Sequence, residues 1–264
     1  MIRKLVLVIV AFASWGLTAQ SGSSSPYSYF GLGDIIASGT VDNQMMGGIS
    51  MHADSIHINL KNPAAYSQLR LTTYAAGISH KRLGYNSATG KENSTLTNMD
   101  YLAIGVPLSS RMGMGFGLMP FSSVGYNIES SITGADETTL SNEYSGDGGL
   151  NRVYLSLGYK ILKNLSVGAT VNYNFGTINS RRVQSSSDVQ FGTLDRRESK
   201  LSGYDFNYSL NYTPKLNDKY RLYSSLAFDT QVNLNAENQQ SLGSFSRLNG
   251  QEIEVFEVDL QAQG

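Results

Sequence analysis

From residue 69 onward, hydrophobic and polar positions alternate with period two, the repeat of a strand whose successive side chains point to opposite faces. In Leu165 to Phe175 the odd positions read Leu, Val, Ala, Val, Tyr, Phe and the even ones Ser, Gly, Thr, Asn, Asn. Tyr204, Phe206, Tyr208, Leu210 and Tyr212 alternate in the same way with Asp205, Asn207, Ser209 and Asn211. Tyr220 to Leu234 sets Leu222, Leu226, Phe228, Val232 and Leu234 against Arg221, Asp229, Gln231 and Asn233. Leu102 to Leu108, Met112 to Leu118 with its continuation Val124 to Ile128, and Val153 to Ile161 belong to the same set. Leu71 to His80 and Ile253 to Leu260 are weaker, which makes about eight strands. Behind Met112, Met114, Phe116 and Leu118 lies a face of Gly113, Gly115 and Gly117, which leaves room for another segment to approach.

The connections alternate between two kinds. Ser109 to Arg111, Leu162 to Asn164 and Thr213 to Lys219 are short, whereas Gly84 to Thr97, Ser131 to Gly149, Val183 to Ser202 and Asn235 to Gly250 read as long polar loops. Short turns at one end and long loops at the other describe a transmembrane barrel with its short turns in the periplasm. Tyr159, Tyr212 and Tyr220 flank the short turns, where amphipathic rings suit the headgroup level. A soluble antiparallel sandwich also alternates. It does not place Asn, Asp and Arg at mid-strand in strands of this length, and an all-β transmembrane antiparallel barrel is the expected fold.

The N-terminus agrees with export. Arg3 and Lys4 precede an apolar run from Leu5 to Leu17 that closes on Thr18-Ala19-Gln20, which predicts a signal peptide over residues 1–19, cleaved after Ala19. The run is shorter than the roughly 20 residues needed to span a bilayer as a helix, so a membrane-inserted product must cross with strands. The chain has 20 basic and 21 acidic residues, two of the basic ones in the leader, and this balance offers no footprint for nucleic acid. With no cysteine, disulfides and thiolate metal sites are excluded.

Residues 20–68 differ from the strands at 69–264. They are rich in Gly and Ser and show no sustained alternation, yet they carry Tyr27, Tyr29, Phe30, Ile35, Ile36, Met45, Met46, Ile49, Met51, Ile56, Ile58 and Leu60. That is too much apolar material to leave in water, and irregular backbone is tolerated at membrane depth when buried in protein. The segment is expected to be a plug inside the barrel.

Gly47-Gly48, Asp54-Ser55 and then Asn59-Leu60-Lys61-Asn62-Pro63-Ala64-Ala65 before the first strand resemble the N-terminal hatch of the FadL/TodX family of long-chain fatty-acid and aromatic-hydrocarbon transporters. The resemblance covers residues 27–80 by motif, Asn62, Pro63 and Ala64 being its most specific element. It implies an outer-membrane channel of 14 strands whose plug admits hydrophobic molecules from outside, and a family that also includes an accessory barrel of protein secretion. An eight-stranded barrel has room only for side chains, so about eight strands ending at Leu260-Gln-Ala-Gln-Gly264 imply a truncated member that does not insert stably alone.

Candidate chemistry is sparse. His52, Asp54 and His57 are a compact cluster without the spacing of a metal site. Gly113-Met-Gly-Phe-Gly117 opens no helix and is no phosphate loop. There is no Gly-x-Ser-x-Gly elbow and no histidine beyond His80, which is placed near the end of a strand, so no catalytic residue, cofactor or metal is expected. Arg181-Arg182 and Arg196-Arg197 fall in or near one outer loop that could attract lipopolysaccharide. The leading expectation is passive uptake of a hydrophobic small molecule through a plugged lumen, with Met45, Met46, Ile49 and Met51 touching substrate or the wall. The alternative is an accessory outer-membrane barrel that serves secretion or barrel-assembly proteins without transport of its own.

Overall fold

The computed structural model describes residues 23–86, 90–134, 137–248 and 251–261, so the expected signal peptide over residues 1–19 lies outside the described residues. The protein is all-β, with β1 (Asp34–Ile35), β2 (Thr73–Asn86), β3 (Lys91–Pro107), β4 (Met112–Thr133), β5 (Thr139–Leu162), β6 (Leu165–Ser186), β7 (Phe191–Tyr212), β8 (Ser224–Asp229), β9 (Asn233–Leu248) and β10 (Gln251–Gln261). Eight of these run antiparallel in the order β2-β3-β4-β5-β6-β7-β9-β10, with β1 added to β4 and β8 to β7. Among the described residues the sheet is not closed, and β2 and β10 are its edges.

Burial is inverted relative to a soluble protein. On β5 to β7 the apolar positions Leu157, Phe206, Tyr208 and Leu210 are 40% exposed or more, while Ser156, Asn174, Asp205 and Asn211 on the opposite face are at most 3% exposed. An apolar face left bare and a polar face covered is the pattern of a wall between lipid and a filled lumen. The bare face is short. On β7 it runs from Tyr204 to Tyr212, about 27 Å of strand, which matches the roughly 9–11 residues of a tilted transmembrane strand. Tyr212 and Tyr159 mark its border by the short turns. At the other border Tyr173 stacks near Phe175 at 5.6 Å and against Tyr204 at 4.8 Å, an aromatic girdle at each interface.

The long polar connections expected as loops are strands. β5 begins at Thr139, β6 continues to Ser186, β7 begins at Phe191 and β9 reaches Leu248, so paired backbone runs far past the lipid band. β7 alone extends 13 residues beyond Tyr204, about 40 Å. The reason is physical: ladder hydrogen bonds need no particular side chains, and where polar residues stand on both faces of a sheet the alternation that betrays a strand disappears. Val183, Leu194 and Phe245 form a small buried cluster within this projecting sheet. The ring of Phe245 lies so near Gly192 that a Cβ there would fall 2.5 Å from it.

The segment read as one strand from Tyr220 to Leu234 is divided. β8 pairs with Asn207–Tyr212 and β9 with Phe191–Tyr204, so both continue along β7. Thr230 bridges the break, its N–H donating to Phe206 O at 2.8 Å and its Oγ1 accepting from Phe206 N at 2.8 Å.

Candidate functional site

Residues 23–72 lie along the covered face of the sheet, and their best-anchored part is the 3₁₀ turn Pro63–Gln68, which touches β3, β4, β5, β6 and β7. Pro63 opens the turn, where its missing N–H costs nothing and its fixed φ suits the helix. Asn62 precedes it, fully buried, its amide donating to Asn211 Oδ1 at 2.8 Å, Ser50 O at 3.0 Å and Ser225 Oγ at 3.2 Å. Ala64 N–H donates to Ser209 Oγ at 2.8 Å. Each polar partner on the wall thus receives a donor that the turn leaves free.

Glycines on the wall make this approach possible. A Cβ on Gly168 would lie 2.2 Å from Ala64 N, on Gly158 2.5 Å from Pro63 O, on Gly113 1.9 Å from Tyr66 O and on Gly115 2.1 Å from the Tyr66 ring. Tyr66 therefore sits on the face that Gly113 and Gly115 leave empty. It belongs to a buried cluster with Ile58, Leu69, Tyr101, Ala103, Met119 and Tyr154. Burial first, and then the neighbouring Tyr154 phenol, pushes the Tyr66 hydroxyl well above its ordinary range, so it stays neutral.

Above this seat is a buried ion pair that the sequence reading did not single out. Arg152 reaches Asp205 Oδ1 at 3.0 Å and Asn174 Oδ1 at 2.8 Å, and Asn172 and Asn174 donate to the Asp205 carboxylate at 2.8 and 2.6 Å. The guanidinium lies 4.4 Å from the Phe121 ring centroid. Every strong acceptor of Asp205 is met, which is what a charge pair at this depth requires. A cavity of about 400 Å³ adjoins it, lined by Ile36, Leu60, Lys61, Phe121, Asn207 and Asp229 among others. The available signal was that Arg152 and Asp205 are charged residues in positions otherwise held by Ser, Asn, Thr and Gly.

Higher still, the turn Pro26–Tyr29 meets the base of the projecting sheet. Tyr29 packs edge-on against Tyr126 at 5.2 Å and Tyr144 at 6.0 Å, and Arg182 donates to its hydroxyl at 3.4 Å. Arg181 and Arg196 are cross-strand neighbours on β6 and β7, and all four arginines lie in strands, not in an outer loop. Arg181 reaches Glu143 at 3.7 Å and Arg197 reaches Asp195 at 3.2 Å.

Met45, Met46, Ile49 and Met51 sit on and after the short helix α1 (Val41–Met45), and their side chains are exposed, Met45 at 84%. Ser50, between Ile49 and Met51, ties this stretch to the seat through its carbonyl, which accepts from Asn62 at 3.0 Å. His57 and Asp54 pair at 2.5 Å, with His52 at 3.9 Å, and Asp54 Oδ1 caps the turn by accepting from Ile56 N at 2.9 Å and His57 N at 2.7 Å. Among the described residues no three such side chains are grouped to hold a metal. The bond to Asp54 raises the His57 pKa. Partial burial opposes ionisation of Asp54, but the bonds from Ile56, His57 N and the His57 ring hold its carboxyl below the usual range. His80 lies within β2, bonded to Thr97 Oγ1 at 2.8 Å.

Comparison with known proteins gives a family. The family model described as BamG matches residues 1–264, the whole chain. Neither the curated proteins nor the solved structures compared with it contain a match. The resemblance to FadL/TodX is overturned by this match. Its most specific element, Asn62-Pro63-Ala64, performs local work here: a proline to start a turn, an amide to hold the wall, and a small residue against glycine. A tripeptide with that role can arise in any plugged barrel and does not discriminate between families.

Proposed function

Since the chain belongs to the BamG family, a family of outer-membrane proteins linked to barrel assembly, we propose that it is a non-enzymatic accessory barrel that offers a protein-binding platform to the assembly machinery. The observation that carries this reading is the projecting sheet. Strands β4 to β7 and β9 continue past the lipid band as hydrogen-bonded backbone that is rich in polar side chains on both faces, around the small buried cluster of Val183, Leu194 and Phe245. A channel needs no such wall above the membrane, whereas a docking subunit does.

The plug supports the same reading. Its anchor is a set of buried hydrogen bonds and close glycine contacts, which rigidify the barrel from within. The side chains of Met45, Met46 and Met51 are exposed. Uptake of a hydrophobic molecule has no support in the family match, and the accessory role replaces it as the leading reading.

The test is purification of the tagged chain from native membranes in mild detergent. Barrel-assembly subunits should co-purify in fixed proportion, and depletion of the chain should lower the amount of heat-modifiable barrel protein in the outer membrane. Absence of both effects refutes the proposal.

A further inference from the structure

The wall has a seam between β3 and β4. The two strands pair only from Leu102–Leu118 to Pro107–Gly113. Beyond that point β3 continues with β2 as its partner and β4 with β5. Just beyond that point the β4–β5 ladder has an irregularity between Pro120 and Ser122.

The chain's own N-terminal segment bridges the gap, with backbone bonds to β4 and side-chain bonds from β2 and β3. At the level of Gly125 the gap is filled by residues 23–25. Ser25 N–H donates to Gly125 O at 2.9 Å on the β4 side. On the other side Ser24 is held by Ser94 Oγ at 2.8 Å and by the hydroxyl of Tyr85, which donates to Ser24 O. Lower down, β1 pairs Asp34 with Ser123 and Ile35 with Ser122, and Ile36 N–H donates to Phe121 O at 3.0 Å. The chain's own N-terminal segment is thus standing in for a missing strand, in two short pieces.

The substitution is incomplete. From Tyr126 to Thr133, eight residues of β4 have β5 on one side and, among the described residues, no strand on the other. Ser122 Oγ and Ser123 Oγ, where β1 pairs, are buried without a hydrogen-bond partner. An edge with open backbone groups is a template for another strand.

We propose that the seam between β3 and β4 is a strand-acceptor site, closed by the chain's own N-terminal residues and able to take an extended segment of a partner polypeptide along β4 from Phe121 to Thr133. Main-chain hydrogen bonds supply the attraction; between Phe121 and Gly125 they replace those now made by Ser25 and residues 34–36, and from Tyr126 to Thr133 they are added. Asn127 and Glu129 lie on the face opposite Tyr126, so the segment has polar side chains outward and small or apolar ones toward Tyr126. A proline-free strand of alternating character meets these demands. The inference rests on the accessory reading and names the kind of partner it recruits.

The chain contains no cysteine, which makes a lock simple. The double variant S24C/S94C replaces two hydroxyls 2.8 Å apart, and its oxidised form pins the N-terminal segment in the seam. The probe is a fluorescent peptide of four Val-Thr repeats with flanking lysines, titrated against the full chain in detergent. Its control carries N-methyl groups on alternate residues. Saturable binding to the wild type and to the reduced variant, weakened at least tenfold on oxidation and abolished by N-methylation, is the expected result. Equal binding in both redox states, equal binding of the N-methylated peptide, or no saturable binding to any form overturns the proposal. Reduced and oxidised forms share one fold check, the heat-modifiable band. If assembly subunits still co-purify while the peptide never binds, the seam proposal fails and the accessory role stands. If the subunits do not co-purify and depletion leaves the heat-modifiable barrels unchanged, the accessory role fails whatever the peptide does.

Discussion

Replacing Gly115 by alanine should loosen the plug through one contact. The new Cβ would lie 2.1 Å from Cε1 of Tyr66 and 2.2 Å from Cζ, in a ring that is 1% exposed and has no empty space to enter. Overpacking of this kind costs about 1–3 kcal/mol. Removing the ring costs more: a buried tyrosine hides roughly 150–250 Å², about 4–6 kcal/mol as an upper bound, and measured truncations of large aromatics cluster near 3–5 kcal/mol. The reporter is Ser67→Cys, a single thiol in a chain without cysteine at a fully buried position beside the ring. Its rate of maleimide labelling measures how often the turn leaves its seat.

At about 1.4 kcal/mol per factor of ten, G115A should raise labelling by roughly 5- to 150-fold and Y66A by about 100-fold or more. The decisive arm is the double variant. With the ring gone the added methyl has room, so Y66A/G115A should label no faster than Y66A alone. If G115A labels at the parent rate, or if the two effects sum, Tyr66 is not seated on Gly115 and the close approach described here is wrong.

Three further outcomes follow from the same structure. Arg152→Ala leaves the buried Asp205 charge without its cation and should cost about 3–5 kcal/mol, read as a fall in the urea midpoint of the heat-modifiable form; an unchanged midpoint would mean the pair is solvated. Leu157→Arg, on the bare face at mid-band, should cost about 2–4 kcal/mol of insertion into vesicles, while Lys200→Leu in the projecting sheet should leave insertion unchanged. His57 should titrate above 6.5 by NMR and return toward it in D54N. The contribution of His57 is complete below its unfolded pKa and lost as pH rises through the raised folded value. That of Asp54 is complete above 3.8 and lost as pH falls through its lowered value, so the pair acts between about pH 4 and 6.5.

What the sequence revealed of this fold depends on contrast between environments. In Leu165–Phe175 and Tyr204–Tyr212 one face meets lipid and the other a polar lumen, so strand and membrane band are both legible in the alternation. A few residues further along the same strands, in Asn179–Gln184 and Thr193–Ser199, polar residues stand on both faces, and the buried Val183 and Leu194 are too few to set a period. Nothing in Asn-Ser-Arg-Arg-Val-Gln distinguishes a strand from a loop, although each residue is paired across β6 and β7. The plug was visible as apolar content without period, and its seat was half visible in the glycines of β4, but the partner of those glycines was not, because Tyr66 is 49 residues away from Gly115 in sequence. Function was the least legible part for the same reason. The Asn62-Pro63-Ala64 element is shaped by what it must do at the wall, and any barrel that holds its plug against glycine meets that demand alike. The features that set this chain apart, the tall polar sheet and the seam at β3, are made of backbone pairing, to which side-chain identity contributes little.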